Sequence, residues 1–128
     1  MLFCIFTFKT IVIMFSRKLF SKLENHLEQK QVTVITGLRR VGKSTALKYL
    51  FEKHDSNNKI YLDLERIENQ AVFLKNSYKD IERALELMGF DFSKPGVIAL
   101  EEIQMVKNCS MVIKAFYDDY GTKFIVTG

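Results

Sequence analysis

The sequence predicts an α/β fold, a mostly parallel sheet with helices on both faces. Three observations predict it. β-branched apolar runs alternate with stretches of helical period from Gln31 to Thr127, the pattern of strand–helix–strand units rather than of hairpins. The first of these runs passes through a glycine-bounded loop straight into a helix. A length of 128 residues with 48% apolar content allows one core that buries roughly 65 to 70% of the unfolded surface, which excludes a disordered or collagen-like chain.

Residues 1–15, MLFCIFTFKTIVIMF, are apolar at all positions but Thr7, Lys9 and Thr10. A spanning helix needs about 20 apolar residues, and here Lys9 interrupts the run while Arg17 and Lys18 close it. A secretion signal would show a basic start and a small-residue cleavage site, and neither is visible. The segment reads as an extra strand, a short membrane-associating anchor, or an extension upstream of a start at Met14. The last is preferred, because an ordinary domain opens at Ser16. The chain therefore divides into an apolar extension, residues 1–15, and a domain, residues 16–128.

Within the domain, Leu19, Phe20, Leu23 and Leu27 recur at helical spacing and predict a helix over residues 17–29. QVTVIT, Gln31 to Thr36, is a buried strand. Residues 43–53 return to helix, with Ala46, Leu47, Leu50 and Phe51 on one side, and KIYLDL, Lys59 to Leu64, is a second strand. Ser77 and Asp80 make a capping-box-like start for a helix faced by Ile81, Ala84, Leu85 and Met88, with Gly89 as its stop. Pro95-Gly96 is a turn into the strand VIAL, Val97 to Leu100. Ile113, Phe116, Tyr117 and Tyr120 stripe a last helix that Gly121 ends, and KFIVT, Lys123 to Thr127, is the final strand.

Charge and sulfur narrow the function classes. The net charge is +4, and residues 15–59 hold ten Lys/Arg against four Asp/Glu, whereas residues 60–128 hold eight against eleven. The basic residues are scattered among apolar ones, so they read as solvated faces, and nucleic acid stays an unsupported partner. Cys4 and Cys109 match no metal-ligand spacing, and His26 and His54 are isolated, so neither a disulfide framework nor a zinc site is expected. A reducing, cytoplasmic setting follows from that cysteine usage.

One motif carries the chemistry. Gly37, Leu38, Arg39, Arg40, Val41, Gly42, Lys43 and Ser44 fit GxxxxGK(S/T) between a strand and a helix. Glycines let successive N–H groups turn inward around an anion, and the positive end of the following helix points at the same place. Lys43 is placed to bridge the β- and γ-phosphates of a nucleotide, and Ser44 to ligate the Mg²⁺ that neutralises them. Thr45 supports the turn, and Arg39 and Arg40 read as solvated or phosphate-steering charge. Farther on, VIAL opens onto Glu101 and Glu102. A carboxylate there can hold the Mg²⁺ shell and its neighbour can accept a proton from the attacking water, which assigns Glu101 to the metal and Glu102 to catalysis.

The stretches VITGLRRVGKSTALKYL, YLDLE, ALEEIQ and KFIVTG, in that order, resemble the AAA-type ATP-binding domain of a large bacterial and archaeal ATPase family. That pattern runs ITGxRRxGKST, YxDLE, LDEIQ and a strand ending in TGS. The resemblance covers about residues 16–128 and implies a P-loop NTPase three-layer sandwich with ATP and Mg²⁺ as ligands. It also implies a following C-terminal domain of unclear role. This sequence departs from the pattern twice. Glu101 stands where the family has Asp, one methylene longer, and octahedral Mg²⁺ tolerates displacement poorly, so binding should survive better than turnover. Gly128 is the last residue given, where the family continues with a polar residue, further core and that domain. The chain thus reads as a C-terminally incomplete fragment. The family's fifth strand would be missing beside Gln31 to Thr36, which leaves that strand as a bare apolar edge prone to pairing.

An ATPase is the leading expectation, with any activating arginine supplied from outside; such an arginine contributes about 10³ to 10⁵ in rate. The alternative is a nucleotide-binding switch or inactive remnant that holds ATP without turnover. A GTPase is disfavoured, because Asn58-Lys59 is followed by Ile60-Tyr61 instead of completing a guanine-reading motif. A small-molecule kinase would need an acceptor pocket and a basic lid that the sequence does not show. Oligomeric state is left open.

Overall fold

The computed structural model describes residues 8–12, 31–36 and 40–128. Five parallel strands, β1 (Phe8–Val12), β2 (Val32–Thr36), β3 (Lys59–Asp63), β4 (Val97–Glu101) and β5 (Lys123–Thr127), form one sheet in the order β1-β2-β5-β4-β3. Four described helices accompany them: α1 (Arg40–Lys53), α2 (Ile67–Phe73), α3 (Tyr78–Leu87) and α4 (Cys109–Tyr120), with a single 3₁₀ turn at Ile103–Met105. The α/β class and parallel sheet are as expected. The helix expected over residues 17–29 lies outside the described residues, as do Cys4 and His26. Among the described residues no helix is long and apolar enough to cross a membrane.

Strand alternation sorts the core onto two faces. Ile35, Val97, Ala99 and Ile125 pack on one face against Ala46, Leu47 and Leu50 of α1. Val34, Leu62, Ile98, Leu100, Phe124 and Val126 pack on the other with Ile81 and Leu85 of α3 and Ile113 and Phe116 of α4. Strands buried on both faces read as continuous apolar runs, which is how VIAL and the centre of KFIVT, residues 124–126, appear in the sequence.

The local stop signals act as their chemistry dictates. The Ser77 hydroxyl accepts from the Asp80 N–H at 3.2 Å and caps α3. Gly121 takes φ +65° and ends α4, its N–H donating to the Tyr117 carbonyl at 2.9 Å. Gly96 is required by close approach instead, since a β-carbon there would lie 2.5 Å from the Asn58 carbonyl oxygen. The short helix α2 was not expected: it has no side-chain cap, and Ile67 at its start is exposed. Burial of Phe73 holds it in place.

One expectation is corrected. The edge of β2 expected to be bare is paired in parallel with β1, from Phe8 opposite Val32 to Val12 opposite Thr36. A strand from the apolar segment thus satisfies the backbone groups that the sequence left without a partner. The described edge on the opposite side of the sheet is β3.

Two lysines anchor the end of the sheet away from the loop. Lys59 Nζ donates to the Phe51 carbonyl at 2.7 Å, which closes the C-terminal end of α1. Lys123, 7% exposed, donates to the Thr33 hydroxyl at 2.8 Å and to the Gln31 carbonyl. Burial pushes its pKa down to about 8. The folded group therefore gives up its proton near pH 8, whereas the unfolded one keeps it to about 10.4, so between those values the unfolded state binds more protons and stability rises with pH. Urea midpoints at pH 7 and pH 9.5 should show a gain of about 2 kcal/mol in the parent that Lys123→Met lacks. Equal pH responses in the two proteins would refute this assignment.

Candidate nucleotide site

The strand order reverses direction beside β2. From β2 the chain crosses through α1 to the far edge β3, then returns through β4 and β5 on the other side. Ligands of open parallel sheets bind at such a switch point, outside the C-terminal ends of the strands. Here β2 ends at Thr36, and α1 begins at Arg40. The helix starts three residues before the expected position 43. Gly42 is a poor helix former, yet in the first turn its N–H needs no intrahelical partner. The first turn carries no acidic residue and holds Arg40 and Lys43 instead. Cations at the positive end of a helix are unfavourable by themselves, and an anion relieves them.

Lys43 and Glu102 are both buried, and the Lys43 ammonium lies 3.6 Å from Glu102 Oε2. The other oxygen, Oε1, accepts from Gln104 Nε2 at 2.6 Å. The Glu102 backbone sits in the left-handed region, φ 58° and ψ 56°, unusual for a residue with a long side chain. Its N–H donates to Thr127 Oγ1 at 3.0 Å. Gly128 abuts this group, and a β-carbon there would stand 2.7 Å from Gln104 Oε1. Strand β5 and the 3₁₀ turn thus hold Glu102 in a conformation that local preference disfavours.

Glu101, the last residue of β4, is also buried. Ser44 Oγ donates to its Oε1, and Tyr61 Oη donates to its Oε2. Burial, and after it the hydrogen bond and charge of Glu101, hold the Tyr61 hydroxyl well above the ordinary tyrosine range, so it stays a donor. No cluster of three or more His, Cys, Asp or Glu suited to a metal exists among the described residues. His54 Nδ1 instead accepts from the Ser56 N–H at 3.2 Å, a turn contact. Burial pushes the Cys109 thiol up to about 12, which makes it a core residue rather than a nucleophile.

Of the residues expected in the site, the structure brings together Lys43, Ser44, Glu101 and Glu102. Gly42 is buried in the first turn of α1, Arg40 and Val41 lie in the same turn, and Thr45 is exposed. Gly37, Leu38 and Arg39 lie outside the described residues.

Residues 29–128 match the AAA domain family. The chain belongs to that family. As an AAA domain it is a nucleotide-binding module of the ATPase type, a class that generally uses ATP and Mg²⁺. It is also 25% identical over 114 residues to the uncharacterized protein MJ1637 of Methanocaldococcus jannaschii, a match that covers 84% of this chain and 24% of that protein. The chain thus spans about a quarter of the length of the curated relative it matches. No solved structure matches it.

Sequence reasoning missed three residues that contact the two acids of this candidate site: Tyr61, Gln104 and Thr127. A signal existed for Gln104, which stands two residues after Glu102 in the stretch ALEEIQ. Tyr61 and Thr127 likewise stand at fixed positions of the stretches YLDLE and KFIVTG, although spacing alone makes Tyr61 an ordinary half-buried strand residue.

Proposed function

We propose that this AAA domain binds Mg-ATP through the loop from Gly37 to Ser44 and hydrolyses it with Glu102 as general base. The observation that carries the reading is the buried Lys43–Glu102 pair at the N-terminus of α1. Taking two charges out of water is costly, and this pair joins the residue suited to hold a phosphate to the residue suited to receive a proton. In the free protein each neutralises the other. A triphosphate draws Lys43 to its β- and γ-oxygens and leaves the Glu102 carboxylate open to a water molecule.

The chemistry is a displacement at the γ-phosphorus. The water oxygen bonds to phosphorus, the bond to the β,γ-bridging oxygen breaks, ADP departs, and the proton passes to Glu102. Gln104 holds that carboxylate in place, and the Thr127 hydroxyl holds the Glu102 backbone by accepting from its N–H. Ser44 and Glu101 supply hard oxygen donors side by side, a set that fits Mg²⁺, which is usually bound by one or two carboxylates together with substrate phosphates. When bound, the ion neutralises phosphate charge.

The test is equilibrium titration with Mg-ATP beside single-turnover hydrolysis on the same material. Saturable binding with phosphate release supports the ATPase. Binding without release under any condition transfers the reading to a nucleotide-held switch, which the extra methylene of Glu101 favours. Absence of saturable binding refutes both. Residence in the cytoplasm belongs to the same proposal and rests on cysteine usage alone.

A further inference from the structure

Glu101 has a longer side chain than the aspartate of the family pattern, yet both its oxygens are engaged, one by Ser44 and the other by Tyr61. On β3 and β4, Asp63 stands opposite Glu101 and Tyr61 opposite Ala99. Tyr61 is therefore the diagonal neighbour of Glu101 on the face that packs against α1. Diagonal neighbours lie too far apart for short side chains and within reach of long ones. Ala99, fully buried directly opposite Tyr61 and two residues before Glu101 on the same face, has a small side chain over which the tyrosine can reach. Phe51 of α1 fixes that ring edge-on, with centroids 5.4 Å apart and planes at 73°.

From this geometry we infer that Tyr61 is a positioning residue. Its hydroxyl holds one oxygen of Glu101 so that the other stays beside Ser44, where the two present paired oxygens to the divalent cation of the nucleotide. The inference rests on the Mg-ATP reading and adds to it a residue with no contact to nucleotide or metal. A glutamate has one more torsion to restrain than an aspartate, and Mg²⁺ demands near-ideal geometry. A hydroxyl on a ring clamped by Phe51 supplies the restraint. Partners that orient a metal ligand change metal affinity by about 10- to 100-fold when removed.

The experiment is titration of the protein with a fluorescent ATP analogue, in Mg²⁺ and in EDTA, for the parent, Tyr61→Phe, Glu101→Asp and the double variant. Tyr61→Phe removes one oxygen and keeps the ring against Phe51, and thermal melts check that each variant is folded. In the Glu101 background the loss of the hydroxyl should weaken binding about tenfold in Mg²⁺ and leave binding in EDTA unchanged. In the Glu101→Asp background the carboxylate stops short of Tyr61, and the same substitution should change neither. An equal loss in Mg²⁺ and EDTA, no loss at all, or the same loss in both backgrounds overturns the inference and leaves Tyr61 a packing residue. A parent that fails to saturate in either condition is a different failure, because it removes the nucleotide reading on which the inference stands.

Discussion

Glu102→Gln should abolish ATP turnover while preserving ATP binding. A positioned general base contributes about 10² to 10⁴ in rate, and the amide keeps the shape and the contact with Gln104 but cannot take a proton at neutral pH. The substitution also removes the negative partner that holds Lys43 at 3.6 Å in the free protein. Lys43 then approaches phosphate without first leaving a carboxylate, so affinity for Mg-ATP should stay equal to that of the parent or increase. Single-turnover phosphate release and equilibrium titration measure the two effects separately. Retention of turnover within a few-fold of the parent would remove Glu102 from its role.

Lys43→Ala has the opposite signature. It withdraws a charge-assisted contact of about 1.5 to 3 kcal/mol, so Mg-ATP binding should weaken by about 10- to 100-fold. It also leaves Glu102 buried with an uncompensated charge, and breaking a buried pair in this way costs about 3 to 5 kcal/mol of stability. The double variant with Glu102→Gln separates the two consequences. Neutralising the stranded carboxylate should return most of the lost thermal stability and none of the lost affinity. If affinity returned with stability, Lys43 would be acting only through the fold.

The elements that sequence alone made legible are those whose cause is local. QVTVIT, KIYLDL, VIAL and KFIVT show their strands through β-branching and apolar runs. Ser77, Gly89 and Gly121 mark helix ends, because a cap is a hydrogen bond or a positive φ within a few residues of its own chain. The loop motif was legible for the same reason, since anion binding by inward N–H groups depends on consecutive residues. The short helix α2 was not, because its existence rests on the burial of Phe73 by distant parts of the chain.

Residue type, spacing and order were enough to state the fold class, the loop and the two acids at the end of β4. The partners of those acids came only from the folded chain. Glu101 meets Tyr61 across a strand register and Ser44 across a helix, Glu102 meets Lys43 through the sheet order, and β1 covers β2 from a segment that sequence left with three readings. Periodicity is a property of neighbours in the chain. The charge balance and orientation of a side chain depend on neighbours in space, which strand order and register determine.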